Sequence, residues 1–300
     1  MLRVMFKALA VLALLSTLPM PKAPRPQPSP DGALEILSMP NVENAYPHWS
    51  RDGSRLLFQS NRTGKWQLHI MNADGSGDRL AFQSAFDDNF PDWSPDNSRI
   101  AFVSNRSGDE DVWVVGMDGK APRNLTHHRG RDIHPFWTPD GKRILFNSTR
   151  KSGEHFDVWS IAPDGSGLAL VQGDDREKTC ARLSPRGDRI VYLRAERNDE
   201  VFAMNADGTH GVNLTRSPQA EGWPTWTPDG KRVVYGSERD GRFALCVMNA
   251  DGSGVRQISF PPAGAYDARP SLSADGKKIA FNRQYGRTIA ICVMPMPTSR

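Results

Sequence analysis

YPHWSRDGSRLLFQSNR (46–62), FPDWSPDNSRIAFVSNR (90–106), HPFWTPDGKRILFNSTR (134–150), CARLSPRGDRIVYLRAE (180–196), WPTWTPDGKRVVYGSER (223–239) and RPSLSADGKKIAFNRQY (269–285) align without a gap. Their anchors, Trp49, Trp93, Trp137, Leu183, Trp226 and Leu272, are spaced 44, 44, 46, 43 and 46 residues apart. So regular a period marks stacked copies of one supersecondary unit. Within a unit, the Ser-Pro-Asp-Gly type of tetrapeptide reverses the chain between a short strand ending at the anchor and a second strand such as RIAFV from residue 99. A polar loop follows, then a third strand: LHIM at 68, VWVV at 112, VWSI at 158, VFAM at 201, LCVM at 245 and ICVM at 291. Asn-Ala-Asp-Gly at 72, 205 and 249 makes a second turn, and a short fourth strand ends in Asn-Leu-Thr at 124 and 213. Four strands per repeat is the blade of a β-propeller.

The chain ends fit a closed ring. The sixth copy has no fourth strand of its own, whereas residues 33–37 (ALEIL) precede the first copy without a blade to join. The reading is therefore all-β: a six-bladed propeller of four-stranded antiparallel blades over 33–300, closed by strand 33–37 on the outside of the last blade.

Before the repeats, residues 1–7 carry two positive charges and residues 8–18 form an almost unbroken apolar run of 11 residues. That is the length of a signal-peptide core and well short of the roughly 20 residues of a membrane span. Residues 1–22 are read as a signal peptide or N-terminal anchor, and the Pro-rich stretch 23–32 as an extended linker. The formal charge of +4 comes from 38 Lys and Arg against 34 Asp and Glu, and residues 1–30 hold Arg3, Lys7, Lys22 and Arg25 with no acid. Residues 31–300 thus balance at zero, which removes the argument for nucleic acid as a partner. Three cysteines, Cys180, Cys246 and Cys292, make neither a disulfide framework nor a short metal-ligand spacing.

The pattern Pro-x-Trp-Ser/Thr-Pro-Asp-Gly, Arg-Ile-x-Phe, Ser-x-Arg, Met-Asn-Ala-Asp-Gly resembles the WD40-like repeat of the TolB-type six-bladed propellers, over essentially all of 33–297. TolB itself carries an N-terminal α/β domain before its propeller, so the resemblance implies a propeller-only member.

In a propeller the loops joining strands two and three share one face with the loops between blades, and that channel face is the expected binding site. Five residues before each anchor stand Asn44, Asp88, Asp132, Lys178, Glu221 and Asp267. A ring of acids invites a cation, but Ca²⁺ wants about six to eight oxygen ligands. The second strands end at Arg62, Arg106, Arg150, Glu196, Arg239 and Tyr285. Comparing copies predicts within-blade ion pairs Asp88–Arg106, Asp132–Arg150 and Glu221–Arg239, with blade four reversed as Lys178–Glu196. His127, His128 and Asp132 share one inter-blade loop with His134 close behind, and His48 and His155 fall near the same face. Their spacing matches no zinc motif, so no metal or cofactor is expected. Candidate ligand-binding or partner-binding residues are Asp88, Asp132, His127, His128, His134, Glu221 and Asp267; no catalytic residue is assigned.

No Gly-x-Ser-x-Gly elbow occurs. The Asn-Leu-Thr segments read as strand ends, the Asn-Ala-Asp-Gly-Ser-Gly segments lack the carboxylates of a calcium loop, and Cys246 and Cys292 occupy a packing position of the third strands. The expectation is an exported, periplasmic or extracellular, non-enzymatic protein-binding scaffold of the cell envelope. The alternative is a metal-assisted saccharide lyase or hydrolase using loop 127–134.

Overall fold

The repeated strand-and-turn chemistry produces, among the described residues, 24 strands in six four-stranded antiparallel sheets. The structure, a computed structural model, describes residues 32–297; the segment 1–22 and all but the last residue of the linker 23–32 lie outside the described residues. The first strand of each blade is Asn44–Trp49, Asp88–Trp93, Asp132–Trp137, Lys178–Leu183, Glu221–Trp226 or Ala265–Leu272. Each touches the first strand of the next blade, and the sixth returns to the first, so these six surround a central channel. The last blade is completed by Leu34–Leu37, which pairs antiparallel with Thr288–Pro295 through Leu34 opposite Val293 and Glu35 opposite Cys292. The ring is thus closed by joining the two ends of the chain, which leaves no unpaired outer position in that blade.

The core lies between blades rather than within them. One cluster joins Leu57 and Ile70 of blade one to Trp93, Ile100 and Phe102 of blade two, all nearly inaccessible to solvent. The anchor tryptophans lock neighbours together: Trp93 Nε1 donates to the His48 carbonyl (3.2 Å) and Trp226 Nε1 to the Arg182 carbonyl (3.1 Å). An arginine of the preceding blade covers three of the anchor rings, Arg55 over Trp93 at 5.2 Å, Arg99 over Trp137 at 4.7 Å and Arg189 over Trp226 at 5.8 Å. The second turns press against the neighbouring blade so closely that glycine is required: a Cβ on Gly208, whose φ is +86°, would lie 1.9 Å from the Val171 carbonyl oxygen.

The aspartates of the turns are structural acceptors. In blade two, Ser94 and Ser98 donate to Asp96 from their hydroxyls and Ser98 also from its backbone N–H. Hydrogen bonding, led by Ser94, lowers the Asp96 carboxyl to about 2. Asp74 and Asp251 hold Ser76 and Ser253 in the same way in the Asn-Ala-Asp-Gly turns, which accounts for those segments without calcium.

Candidate functional site

Every first strand carries a bulge at the same place, two residues after the Asn44, Asp88, Asp132, Lys178, Glu221 and Asp267 series. The residues there are Tyr46, Phe90, His134, Cys180, Trp223 and Arg269, and all six have φ between 49° and 56°. Left-handed backbone in a non-glycine residue is unfavourable. Here it is supported from the neighbouring blade: the Tyr46 N–H donates to Asn282 Oδ1 (3.0 Å) and the Phe90 N–H to Gln59 Oε1 (2.8 Å).

The six bulged residues form a ring at the channel. Phe90 stands edge-on to Tyr46 (4.8 Å) and to His134 (4.5 Å), and His134 Nδ1 lies 3.9 Å from Cys180 Sγ. The Arg269 guanidinium is sandwiched between Tyr46 (4.5 Å) and Trp223 (4.7 Å). A cavity of about 20 Å³ sits against this ring, lined by Tyr46, His134, Cys180, Trp223 and Arg269 together with His48 and Arg182. It shares His48, Arg182 and Pro270 with a chamber of about 210 Å³ that reaches Ser50, Pro139, Pro185 and Pro228 in the turns between first and second strands. The chamber therefore extends toward the end of the channel opposite the loops expected to bind. His48 Nδ1 is 3.2 Å from Asp92, while Arg182 stacks on Phe136 at 4.6 Å.

Only part of the acid ring meets its expected partner. Arg106 Nη2 reaches both oxygens of Asp88 at 2.8 and 3.0 Å, and Arg150 Nη2 reaches Asp132 at 2.7 Å. In both blades, and in blade one with Asn44 at 3.1 Å, the arginine also donates from Nε to the serine ending the second strand. Asp267 pairs not with position 285 but with Arg283, fork to fork at 2.7 and 2.8 Å.

Two expected pairs are corrected. Lys178, fully buried, does not meet Glu196; it bonds Asp174 and the Arg176 carbonyl (2.7 Å), with Asp157 at 3.7 Å. Glu196 instead approaches Arg176 and Arg194 at 3.5 Å. The cause is the residue opposite Lys178 across the strand pair, Arg194, where blades one, two, three and five have serine. Two cations face each other there, and Asp174 from the preceding loop bridges them, with Arg194 at 3.2 Å. Glu221 likewise lacks its arginine. The second strand of blade five runs on to Arg239, which pairs across the hairpin with Arg242, and the buried Glu221 stands opposite Ser237 with no ion-pair partner among the described residues. Burial pushes the Glu221 carboxyl up to about 7.

The histidines of loop 127–134 do not converge. His127 is exposed and His128 half-buried. Their backbones are held by blade residues: the Asn124 side-chain oxygen accepts from His127 N–H (3.2 Å) and the Asp111 carboxylate from His128 N–H (3.1 Å). Asn124 and Thr126 also donate to Asp111 at 2.7 and 2.9 Å, the strand-end task of the Asn-Leu-Thr segment. His134 lies apart, in the channel ring, and burial, followed by the charges of Arg182 and Arg269, lowers it to about 3. Among the described residues no group of three or more His, Cys, Asp or Glu is placed to hold a metal ion. Cys246 and Cys292 are packed in the core of the third strands, and burial raises the Cys180 thiol to about 11. No helix among the described residues is long and apolar enough to cross a membrane.

The bulge ring was not visible in the comparison of copies because its six residues differ. A signal was present, since a proline follows the bulge in five copies, Pro47, Pro91, Pro135, Pro224 and Pro270, and proline inside a sheet strand marks an edge or a bulge.

Closed topology, inter-blade core and a channel lined by first strands define a six-bladed β-propeller. The chain belongs to the TolB beta propeller domain family, whose model matches residues 87–201 and 193–300. A solved protein assigned as TolB from Agrobacterium tumefaciens superposes with a TM-score of 0.68 at 20% identity, over 88% of this chain and 93% of that one. The fold is also shared with an oligogalacturonate lyase in complex with manganese, which gives a TM-score of 0.61 at 13% identity over 91% and 95% of the two chains. In sequence, the chain is 30% identical over 89 residues to a dipeptidyl-peptidase 5 from Porphyromonas endodontalis (27% of this chain, 13% of the relative) and 30% identical over 95 residues to a Tol-Pal system protein TolB from Sodalis glossinidius (31% and 20%). It thus matches a fifth or less of the length of these curated relatives.

Proposed function

We propose that the protein is an exported, non-enzymatic binding propeller of the cell envelope that engages an envelope protein partner at its channel. The observation that carries this reading is the ring of bulged residues. Strained backbone, repeated six times, holds Tyr46, Trp223 and Arg269 toward a shared opening, with Phe90 packed edge-on against Tyr46, and Tyr, Trp and Arg are the side chains that dominate binding hot spots. The remaining two members suit recognition better than chemistry, because Cys180 stays a protonated thiol and His134 a neutral imidazole near neutral pH. Export is supported by the charged and apolar segments of residues 1–18, and an envelope role by similarity to a Tol-Pal system protein.

An affinity pulldown from the native envelope, run with the wild type and with a Tyr46→Ala, Trp223→Ala variant, tests the proposal. The expected result is a protein captured by the first and lost from the second, both variants remaining folded by circular dichroism. Stoichiometric transition metal retained through purification and lost on His134→Ala, or turnover of an oligosaccharide, would overturn it.

A further inference from the structure

Three arginines of the blades are neutralised by the first acid of their own inner strand: Arg106 by Asp88, Arg150 by Asp132 and Arg283 by Asp267. Arg182 and Arg269 differ. Both line the 20 Å³ cavity, and among the described residues neither side chain donates a hydrogen bond; Arg182 Nη1 and Arg269 Nε are buried with no acceptor. Their aromatic partners, Phe136 for Arg182 and Tyr46 with Trp223 for Arg269, fix the guanidinium planes but accept none of their N–H groups. Burying such donors without an acceptor is costly. The acid of the adjoining chamber, Asp92, does not serve, since His48 and the Trp137 N–H (2.8 Å) already occupy it.

His134 supplies a third donor. It is 8% exposed, it lines the same cavity, and its Nε2 has no partner. The nearby Cys180, kept protonated by burial, is placed to donate its S–H to Nδ1 at 3.9 Å. That bond leaves the ring proton on Nε2.

We propose that the channel binds a small carboxylic acid, its carboxylate seated among Arg182, Arg269 and His134 and its body in the adjoining 210 Å³ chamber. A chamber of about 210 Å³ is smaller than the roughly 300–1,000 Å³ pockets of drug-sized ligands, so the acid is of single-ring size, carried on Phe136, Trp226 and Pro270. The inference rests on the channel being the binding site, and it is independent of the identity of any protein partner.

Ligand-observed NMR with the intact protein and the isosteric pair benzoate and benzamide tests it. Benzoate binding to the wild type is expected, with benzamide weaker by about tenfold or more, as is benzoate on Arg182→Gln, because a charge-assisted hydrogen bond is lost. Acetate should displace benzoate. Equal binding of benzoate and benzamide, or no benzoate signal, would overturn the proposal without a variant having to fold. Displacement by inorganic phosphate but not by acetate would assign the seat to a tetrahedral anion and overturn it too. Absence of benzoate binding to the wild type, with protein capture intact, would refute this inference alone.

Discussion

In blades two and three an arginine from the loop after the second strand folds back to the first acid of the inner strand, whereas in blades four and five the residue at the same repeat position goes elsewhere. In blade four the cause is Arg194 opposite Lys178, and in blade five it is strand length. The second strands of blades one to three span five or six residues and end in serine, while those of blades four to six span seven or eight. A longer strand carries the last residue of the motif into the hairpin, so Arg239 faces Arg242 and Tyr285 faces Thr288. Repeat alignment thus identifies partners only where the hairpin between them has kept its length.

The comparison presupposes an intact ring, and removing its closure has the largest expected effect. Truncation through Ser38 deletes the strand paired with Thr288–Pro295 and exposes an edge. It should lower the melting temperature by about 10 °C or more, or leave no folded protein; an unchanged melting temperature by calorimetry would refute closure by the N-terminal strand. Next, Asp88→Asn leaves the half-buried Arg106 without its carboxylate and should cost about 3–5 kcal/mol in denaturant unfolding.

Blade five should respond in the opposite direction. With the Glu221 carboxyl raised to about 7 from 4.5, the folded state holds a proton that the unfolded state releases between those values. The group's favourable contribution is therefore complete below about pH 4.5 and is lost as pH rises through about 7. Glu221→Gln should stabilise the protein by on the order of 1–3 kcal/mol at pH 8 and by little at pH 4; a loss of stability at pH 8 would restore the Glu221–Arg239 pair. The smallest effect concerns blade four. A double-mutant cycle between Lys178 and Glu196 should show coupling under about 0.5 kcal/mol, and one between Lys178 and Asp174 clearly more.

The six blades, their closure and the pairs in blades two and three were legible because each depends on residues that recur. The exceptions were written in the same alignment: Arg194 and Arg283 stand where other copies have serine, and a cation at that place redirects every neighbouring charge. The channel ring was harder to read. Tyr46, Phe90, His134, Cys180, Trp223 and Arg269 share a backbone conformation but no side-chain chemistry, so comparison of copies sets them aside. Repetition reveals what holds a blade, and the departures from it lie in the channel. His134 shows this, since its neighbours in sequence, His127 and His128, belong to an outer loop while a bulge turns it into the ring.

The charges of the propeller divide the labour: blade acids and their arginines hold the fold, while Arg182 and Arg269 serve a ligand in the channel. Measuring benzoate affinity and melting temperature side by side for Asp88→Asn and Arg182→Gln tests it most directly. Asp88→Asn should melt earlier yet bind benzoate as the wild type does at a temperature where both are folded, and Arg182→Gln should melt within about 2 °C of the wild type yet bind about tenfold more weakly or worse. The reverse pattern, with affinity lost on Asp88→Asn and stability lost on Arg182→Gln, would contradict it.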